Sequence, residues 1–258
     1  MKDTRPDEVR AFWNAAADDW DRHVGDEGDD NRRLNSDPVL WRFAGEVAGL
    51  HVLDAGCGTG YLARKLHEKG ARVTGIDLSE RMVALSRRKH PDITFHRDSC
   101  ATLGKLPSEH FDLVVSNYVL MDTPDLQASV NSIFRVLKPG GCAAIIFSHP
   151  CFPQGQATVS ESSDSVSYLW KHSYFSQSQQ SSLPWGHFRD HFIWFHRPLS
   201  DYWKAFTEAG FRIEEFEEPR ILQQRYHMAE NKKRLDNAQT RPYSVAFKLR
   251  KPSHTSRD

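Results

Sequence analysis

A nine-residue stretch, Val52 to Gly60, constrains the fold more than any other feature of the sequence. Val52 and Leu53 lead into Asp54, three glycines follow at alternate positions, and a helical pattern begins at Tyr61. This order predicts a strand, a tight loop and a helix. Glycine lets a ligand approach the backbone closely, and the N–H groups at a helix N-terminus lack partners within the helix. The stretch therefore predicts a ligand-binding turn in an α/β domain.

Two classes of ligand fit such a turn, and Asp54 distinguishes them. Residues Gly58–Ala63 loosely match the G-x-G-x-x-G/A loop that holds the pyrophosphate of a dinucleotide. A carboxylate beside that loop would repel a pyrophosphate, whereas it suits a cation. The D-x-G-x-G-x-G string that begins at Asp54 resembles the first motif of class I S-adenosylmethionine (SAM) methyltransferases. The resemblance implies SAM as the cofactor, bound along Asp54, Gly56, Cys57, Gly58 and Gly60.

Acidic residues after the next two strands extend the resemblance. Asp77 follows the glycine loop at the usual separation, about 20 residues, of an acid that binds ribose hydroxyls. An ionised carboxylate accepts both hydroxyl protons. The alternative is that Asp77 caps the following helix, a role that Ser79 can also fill. The resemblance implies that Asp98 bonds the adenine amino group, and the neighbours Leu78 and Ser99 complete this part of the expected site.

The fourth predicted strand, 111–117, is a run of apolar residues, which is typical of a buried strand. Open α/β sheets bind ligands at the C-terminal ends of their strands, so Asn117 and Tyr118 should line the site. Methylases of adenine and amino groups carry a D/N-P-P-Y/F signature here, and the S-N-Y-V of this chain disfavours that class. Residues Leu137–Gly141 resemble the L-K-P-G-G turn before strand 5 of the same family, with glycine predicted to cap the preceding helix.

The pattern predicts an α/β protein with a Rossmann-like, seven-stranded mixed sheet. The resemblance implies the strand order 3-2-1-4-5-7-6, an N-terminal helical cap and a lid inserted after strand 5. The predicted strands are 51–54, 72–77, 93–96, 111–117, 142–147, 211–216 and 242–249, and the predicted cap helices are 7–24 and 36–49. We expect one methyltransferase domain over 1–250, comprising the cap (1–49), a SAM-binding core (50–150), the lid (151–197) and the C-terminal part of the core (198–250), followed by a loose tail (251–258).

Aromatic residues recur along the first predicted helix at three- and four-residue spacing, which makes one apolar face. Core packing explains most of them. The resemblance implies that one aromatic side chain of such a helix faces the sulfonium, because an aromatic ring attracts a cation. Trp20 is the candidate, with Trp13 as the alternative. The acidic loop 25–31 that follows is expected to be mobile.

Residues 153–197 interrupt the alternation of strands and helices. Serine and glutamine dominate 158–182, with aromatic residues interspersed and then concentrated up to His196. A long insertion is usually functional or disordered, and the aromatic content argues against disorder. We therefore expect a substrate lid that is partly folded as a β-hairpin.

Candidate bases lie at strand ends or in the lid. His149 follows strand 5 directly, and histidine titrates near neutral pH. His196 and His191 lie in the lid, and Tyr118 follows strand 4. The chain has 13 histidines, so a structural role is the alternative for each. Cys151 stands where some methylases of cytosine carry a nucleophile, but their other motifs are missing, and a small buried residue is the favoured interpretation.

Composition narrows the class of partner. The 258-residue chain has a formal net charge of +0, so no overall field favours nucleic acid or an anionic membrane. No apolar run approaches the length of a membrane span. The four cysteines lack C-x-x-C spacing, which fits a reducing, cytoplasmic compartment. We expect no metal, no nucleic-acid partner and no membrane association, and a monomer or homodimer.

The leading hypothesis is methyl transfer from SAM to an O, N or C nucleophile of a small molecule, with S-adenosylhomocysteine as product. The resemblance is to the small-molecule branch of the family, methyltransferase type 11, which includes quinone-biosynthesis methylases. Two alternatives stay open. The acceptor could be RNA or protein, which a basic stripe beside the pocket would favour, or the chain could bind SAM without methyl transfer.

Overall fold

The computed structural model describes residues 5–152, 157–159, 166–168, 173–182, 184, 187–229, 239 and 241–253. The α-helices within these ranges are α1 (Arg5–Val24), α2 (Asp37–Ala44), α3 (Tyr61–Glu68), α4 (Glu80–Lys89), α5 (Leu126–Val136) and α6 (Leu199–Glu208). The strands are β1 (His51–Ala55), β2 (Arg72–Asp77), β3 (Thr94–Arg97), β4 (Phe111–Asn117), β5 (Leu137–Ser148), β6 (Ala157–Val159), β7 (Val166–Tyr168), β8 (Ser178–Ser182), β9 (Phe192–His196), β10 (Arg212–Glu217) and β11 (Ser244–Arg250). A π-helical turn covers Arg32–Ser36, and 3₁₀ helices cover Leu120–Asp122 and Gln223–Met228.

The main sheet has seven strands in the order β10-β11-β5-β4-β1-β2-β3. The strands from β5 to β3 are parallel, and β11 runs antiparallel to both β5 and β10. Counted along these core strands alone and from the β3 edge, the order is 3-2-1-4-5-7-6. The predicted fold class and strand order are therefore confirmed.

Alternate residues of the central strands enter two hydrophobic layers. Leu53 and Val114 face the layer that contains α5 and α6, whereas Val52 and Val115 face the layer that contains α2 and α3. All four side chains are fully buried. Burying an aliphatic side chain of this size is worth roughly 1.5–3 kcal/mol. The apolar runs of β1 and β4 therefore fix the centre of the sheet between the two layers.

The parallel strands end at one edge of the sheet, where the sequence places its candidate residues. Asp54 stands at the end of β1, Asp77 at the end of β2 and Asn117 at the end of β4. Helix α1 is fastened beside this edge, because Asn14 accepts hydrogen bonds from the Ser79 hydroxyl at 2.6 Å and from the N–H group of residue 81 at 3.1 Å. The cap helix is thus tied to the start of α4, next to Asp77.

Helix α2 is shorter than predicted. It ends at Ala44 and not at residue 49, because Gly45 adopts φ +66° and donates its N–H to the carbonyl of Trp41 at 3.0 Å. A glycine in a positive-φ conformation after the last helical residue is a common helix terminator. The π-helical turn that precedes α2 was not predicted.

The predicted glycine cap at the end of α5 is wrong. The helix ends at Val136, and β5 begins directly at Leu137. Lys138 precedes Pro139, and the residue before a proline is restricted to extended conformations. The chain therefore enters the sheet at once, with a bulge between the partners of Phe111 and Leu113.

Two further segments are better anchored than their sequences indicate. Lys251, at the start of the predicted tail, is buried, and its ammonium donates to the carbonyls of Leu137 at 2.9 Å and Phe134 at 3.1 Å. In the acidic loop after α1, Asp26 forms an ion pair of 2.9 Å with Lys89 of α4. Both contacts join residues that are far apart in the sequence.

The lid folds as two β-hairpins within the residues that the structure describes. Strands β6 and β7 pair antiparallel, and β8 pairs antiparallel with β9. Strand β9 lies against α1, where the ring centroid of Phe192 is 5.3 Å from that of Phe12. The predicted partial hairpin structure is confirmed, and the second hairpin adjoins the helical cap.

Gly56 offers a direct test of how the glycine loop packs. Its φ is +83°, and an added Cβ would approach Val119 Cγ2 to 2.3 Å. We expect Gly56→Ala to destabilise the protein through positive φ, by ~1–2 kcal/mol, and through overpacking, by a further ~1–3 kcal/mol. Gly49→Ala is the matched control, because Gly49 has φ +77° and open space around its Cβ position. Urea unfolding should show the larger loss for Gly56→Ala, and equal losses would contradict the packing of Val119 on the loop.

Candidate active site

The glycine loop is tied to β2 through its backbone. The N–H groups of Gly56 and Cys57 both donate to the carbonyl of Ile76, at 2.9 and 2.8 Å. The N–H of Gly58 donates to Asp77 Oδ2 at 2.9 Å. These bonds fix the loop across the ends of β1 and β2 without using a side chain of the loop itself.

The three glycines meet different steric constraints. A Cβ on Gly56 would collide with Val119, and a Cβ on Gly60 would lie 2.7 Å from the His90 ring. A Cβ on Gly58 would meet nothing nearer than Trp20 Nε1 at 3.7 Å. Gly56 and Gly60 are therefore required by packing within the protein, whereas Gly58 borders open space under Trp20.

Asp77 receives several backbone donors at the end of β2. Its Oδ1 accepts from Ser79 N at 2.9 Å, its Oδ2 accepts from Gly58 N, and the N–H of Leu78 also points to the carboxylate. Ser79 is the N-cap of α4, since its hydroxyl accepts from Met82 N. Asp77 therefore does not cap α4 in the usual way, and its carboxylate joins the glycine loop to the start of that helix.

Asp54 is buried below the loop. It is 2% exposed, and its Oδ2 has no hydrogen-bond partner among the described residues. Burial and, second, the charge of Asp77 raise the pKa of Asp54 to about 7, while the Ala63 N–H and the Arg32 guanidinium oppose this rise. Two desolvated carboxylates thus stand side by side at the loop, an arrangement that favours a cationic ligand.

Arg32 brings a positive charge to the same place. Its guanidinium forms an ion pair with Asp29 and lies between two rings, 5.1 Å from the centroid of Trp20 and 5.6 Å from that of Tyr118. The side chain is 8% exposed. The sequence analysis did not select Arg32, because nothing in the local pattern distinguishes it from Arg33. Its role becomes visible when the fold brings the turn after α1 over the glycine loop.

Trp20 is the aromatic residue of α1 that reaches the loop. Trp13 lies behind it, 5.1 Å away between ring centroids, and packs against Phe12 and Phe192. Of the two tryptophans proposed from the sequence, Trp20 is the one that approaches Gly58.

The polar side chains at the end of β4 lack hydrogen-bond partners among the described residues. The amide nitrogen and oxygen of Asn117 and the hydroxyl of Ser116 are buried and form no hydrogen bond within the described residues. Buried polar groups are normally satisfied, so each such group calls for an explanation such as a ligand or water. By contrast, the Cys57 thiol is part of the hydrophobic layer under the loop, so only the backbone of Cys57 can contact a ligand.

The Asp98 carboxylate organises its own loop. Its Oδ1 accepts from Ser99 N at 2.8 Å and from the Thr102 hydroxyl at 3.1 Å, and its Oδ2 accepts from Lys105 N at 2.9 Å. The structure therefore gives Asp98 a positioning role for residues 98–105, whatever further contact it makes.

Both ring nitrogens of His149 are engaged by the protein. Nδ1 accepts from Cys151 N at 3.1 Å, which places the proton of a neutral ring on Nε2, and Nε2 donates to Glu218 Oε1 at 2.8 Å. The ring is 2% exposed. Burial lowers the pKa of His149, although Glu218 opposes this effect. A neutral ring with no free lone pair favours a positioning role over proton abstraction.

The other candidate bases separate into two groups. His196 is buried and donates through Nε2 to the carbonyl of Tyr174 at 2.8 Å, whereas His191 is exposed. The Tyr174 hydroxyl accepts from Leu199 N at 2.9 Å and contacts Cys151 Sγ at 3.2 Å. These contacts connect residues 174 and 199 to the end of β5, and among the described residues the hydrogen-bond partner of the Cys151 thiol is a tyrosine and not a base.

Tyr118 lies on the opposite, cap side of the edge. Its ring packs under Arg32, its hydroxyl lies beside Ser244 and Asn31, and its φ is +59°. Burial raises the pKa of the Tyr118 hydroxyl, which therefore stays protonated at neutral pH. Positive φ at a non-glycine residue is a strained conformation that occurs often at functional sites.

The described residues contain no cluster of three or more side chains that could hold a metal ion. Among the same residues, no helix is long and apolar enough to cross a membrane.

The raised pKa of Asp54 gives a testable pH dependence. The folded protein holds a proton on Asp54 up to about pH 7, whereas the unfolded chain releases it near pH 4. The stability that neutral Asp54 contributes is therefore fully present below about pH 4 and is lost as the pH rises through about 7. Asp54→Asn stays neutral at every pH, so it does not share this loss. The difference between its Tm and the wild-type Tm should therefore be larger at about pH 8 than at about pH 5, by roughly 4 °C or more. A Tm difference that does not change with pH would contradict the buried, neutral carboxyl.

Comparison with known sequences shows the family of the chain. Residues 53–145 match the family described as a methyltransferase domain. The chain is 39% identical to the demethylmenaquinone methyltransferase of Chlorobaculum parvum over 104 residues. The aligned stretch is 40% of this chain and 42% of that protein. It is also 32% identical over 181 residues to YqeM of Bacillus subtilis, which is named as a methyltransferase. That aligned stretch is 65% of this chain and 70% of YqeM. The chain thus spans less than half of the first relative and more than two thirds of the second.

Solved structures agree with the fold. An S-adenosylmethionine-dependent methyltransferase from Mesorhizobium loti superposes with a TM-score of 0.68 at 26% identity, over 83% of this chain and 96% of that chain. The magnesium protoporphyrin IX methyltransferase of Synechocystis, solved with bound SAM, shares the fold with a TM-score of 0.60 at 20% identity, over 97% of this chain and 98% of that chain. The chain belongs to the S-adenosylmethionine-dependent methyltransferase family.

Proposed function

We propose that this protein transfers the methyl group of SAM to an O, N or C nucleophile of a small-molecule acceptor. The observation that carries the proposal is the pair of desolvated carboxylates, Asp54 and Asp77, beside the glycine loop. This pair would repel the pyrophosphate of a dinucleotide and attracts a cation. SAM carries a net positive charge, so it fits this edge of the sheet better than NAD does.

The unsatisfied groups of the edge fit the parts of SAM. A carboxylate offers about four acceptor positions, so Asp77 retains capacity for ribose hydroxyls beyond its backbone donors. The partnerless amide of Asn117 can bond a further polar group of the cofactor. SAM supplies an electrophilic methyl group when bound, and the protein supplies binding, orientation and exclusion of water.

Arg32 is suited to the carboxylate of the methionine part. It is a buried cation whose charge acts on Asp54 below the glycine loop, and the Trp20 and Tyr118 rings lie against its guanidinium. A guanidinium matches a carboxylate with two parallel hydrogen bonds. Asp54, below the same loop, then supplies the opposite charge for the amino group.

The lid gives the acceptor side an aromatic character. Phe188 lies 6.0 Å from Trp20, and Phe192 lies 4.9 Å from Phe188, measured between ring centroids. Apolar pockets with few polar groups are typical of small-molecule sites. An aromatic or partly apolar acceptor fits these walls, and the relative from Chlorobaculum parvum is named for a quinone of that kind.

The histidines are proposed to shape the acceptor pocket. His149 holds the turn after β5 against Glu218, and His196 holds the lid against Tyr174. If His149 were instead the general base, it would have to release Glu218 or the Cys151 N–H first. His149→Ala should therefore raise the acceptor's KM more than it lowers kcat, whereas loss of a base would lower kcat by ~10²-fold or more.

Binding measurements test the cofactor assignment. Arg32→Gln and Asp77→Asn should each weaken SAM and S-adenosylhomocysteine alike, at least about tenfold, because hydrogen bonds to charged groups are worth ~1.5–3 kcal/mol. Arg42→Gln is the control, since Arg42 forms its ion pair with Glu215 on the edge strand β10. Isothermal titration calorimetry should show wild-type Kd values for this control. Wild-type protein that binds NADH and neither SAM nor S-adenosylhomocysteine would refute the proposed cofactor.

Transfer itself is tested with methyl-tritiated SAM and a fractionated cell extract. We expect label in the low-molecular-weight fraction, and turnover in a coupled S-adenosylhomocysteine assay on members of a panel of phenols, quinols, carboxylic acids and amines. Label that appears in the RNA or protein fraction would support those alternative acceptors. Tight SAM binding without label in any fraction would support a SAM-binding protein without methyl transfer.

A further inference from the structure

Asp122 is a third carboxylate at the ligand edge, beyond the two that flank the glycine loop. It ends the 3₁₀ helix Leu120–Asp122, which starts shortly after β4. Val119 directly precedes that helix and packs on the glycine loop. A Cβ added to Gly56 would lie only 2.3 Å from Val119 Cγ2. The helix that carries Asp122 is therefore held against the cofactor loop.

The Asp122 side chain accepts no hydrogen bond from any residue that the structure describes. Asp77, in contrast, receives the N–H groups of Gly58 and Ser79, and Asp54 interacts with the N–H of Ala63. Desolvation raises the pKa of Asp122 well above its ordinary range, and the charge of Asp77 raises it further. Asp122 is partly buried and lacks the donors that stabilise Asp77, so a cation beside it would be a favourable partner.

Arg197 is the nearby cation, but its donors are directed elsewhere. The guanidinium donates to the carbonyls of Leu120 at 3.4 Å, Thr123 at 2.6 Å and Pro124 at 2.9 Å, and the side chain is 5% exposed. These carbonyls flank Asp122 in the sequence. Arg197 therefore fixes the loop that carries Asp122 and attracts its carboxylate without a hydrogen bond to it.

The charges of the cofactor can be assigned one by one. SAM carries a carboxylate, an ammonium and a sulfonium, whereas S-adenosylhomocysteine lacks the sulfonium charge. On the proposed function, Arg32 accounts for the carboxylate, and Asp54 accounts for the ammonium. Asp77 is assigned to the ribose hydroxyls, and Asp98 is bonded to its own loop. Asp122 is then a carboxylate at this edge that has no assigned partner among the described residues, and the charge that is left is the sulfonium.

We propose that Asp122 recognises the sulfonium charge and makes the pocket prefer SAM to its product. This inference rests on the proposed function, because it requires SAM at the glycine loop. Trp20 attracts any cation through its ring, but a carboxylate adds a full charge. Asp122 is partly buried, so water screens that charge less than at an exposed surface. After transfer the sulfur is a neutral thioether, so the attraction to Asp122 ends and the product is held less tightly.

The test compares ligands that differ at the sulfur position, where SAM and sinefungin carry a positive charge and S-adenosylhomocysteine does not. SAM, S-adenosylhomocysteine and sinefungin, which carries an amine there, are titrated into wild-type protein, Asp122→Asn and Asp125→Asn. Asp125 is an exposed residue that caps α5 by accepting from Ala128 N, so Asp125→Asn makes the same charge change a few residues away and keeps a capping side chain. Circular dichroism and Tm establish folding, and Asp122→Ser is the second variant in case Asp122→Asn does not fold.

We expect Asp122→Asn to weaken SAM and sinefungin about tenfold or more and S-adenosylhomocysteine less than about threefold, as a lost charge interaction predicts. Asp125→Asn should leave all three affinities near wild type. Calorimetry in buffers of different ionisation enthalpy measures how many protons are released on binding. In wild-type protein, SAM should release more protons than S-adenosylhomocysteine, and Asp122→Asn should abolish this difference.

Two results would overturn the inference while leaving the proposed function intact. One is an unchanged ratio of SAM to S-adenosylhomocysteine affinity in Asp122→Asn. The other is an equal loss for both ligands, which would give Asp122 a structural role. If wild-type protein binds neither ligand, the proposed function fails, and this inference fails with it.

Discussion

The hydrogen bond from Gly58 N–H to Asp77 joins the two strands on which the site depends. It holds the glycine loop of β1 against the end of β2, directly above the buried Asp54. The loop contributes backbone, so the surface that it offers is free of side chains around Gly58. Asp77, and Asp54 once it loses its proton at about pH 7, give that surface a negative charge. Packing of Val119 and His90 against the other two glycines keeps the loop in this shape.

Positive groups approach that negative surface from distant parts of the chain. Arg32 comes from the turn after α1 and lies between Trp20 and Tyr118, while Arg197 comes from the end of the lid and holds the loop after β4. The site is thus bordered by the segment after α1 on one side and by the segment after β9 on the other. This division suits a cofactor with both charge signs on the cap side and an apolar acceptor on the lid side.

The elements with the clearest local patterns could be predicted from the sequence. Strands β2 and β4 have the bounds that their apolar runs predict, and Asp54 and Asp77 lie at one edge because parallel strands place their C-termini together. Arg32 could not be predicted in the same way, because its position depends on ring contacts made across the fold. The same holds for His149, whose Nε2 is bonded to Glu218, 69 residues away. Sequence spacing placed this histidine at the edge, but a partner so distant leaves no signal near it.

The central claim is that the charged edge around the glycine loop binds SAM and not a dinucleotide. A crystal structure of the protein with S-adenosylhomocysteine tests it most directly. The account predicts ribose hydroxyls on the Asp77 carboxylate, the methionine carboxylate on the Arg32 guanidinium and the amino-acid chain over Gly58. Ligand density away from the glycine loop, or a ligand carboxylate that leaves Arg32 paired with Asp29 alone, would contradict it.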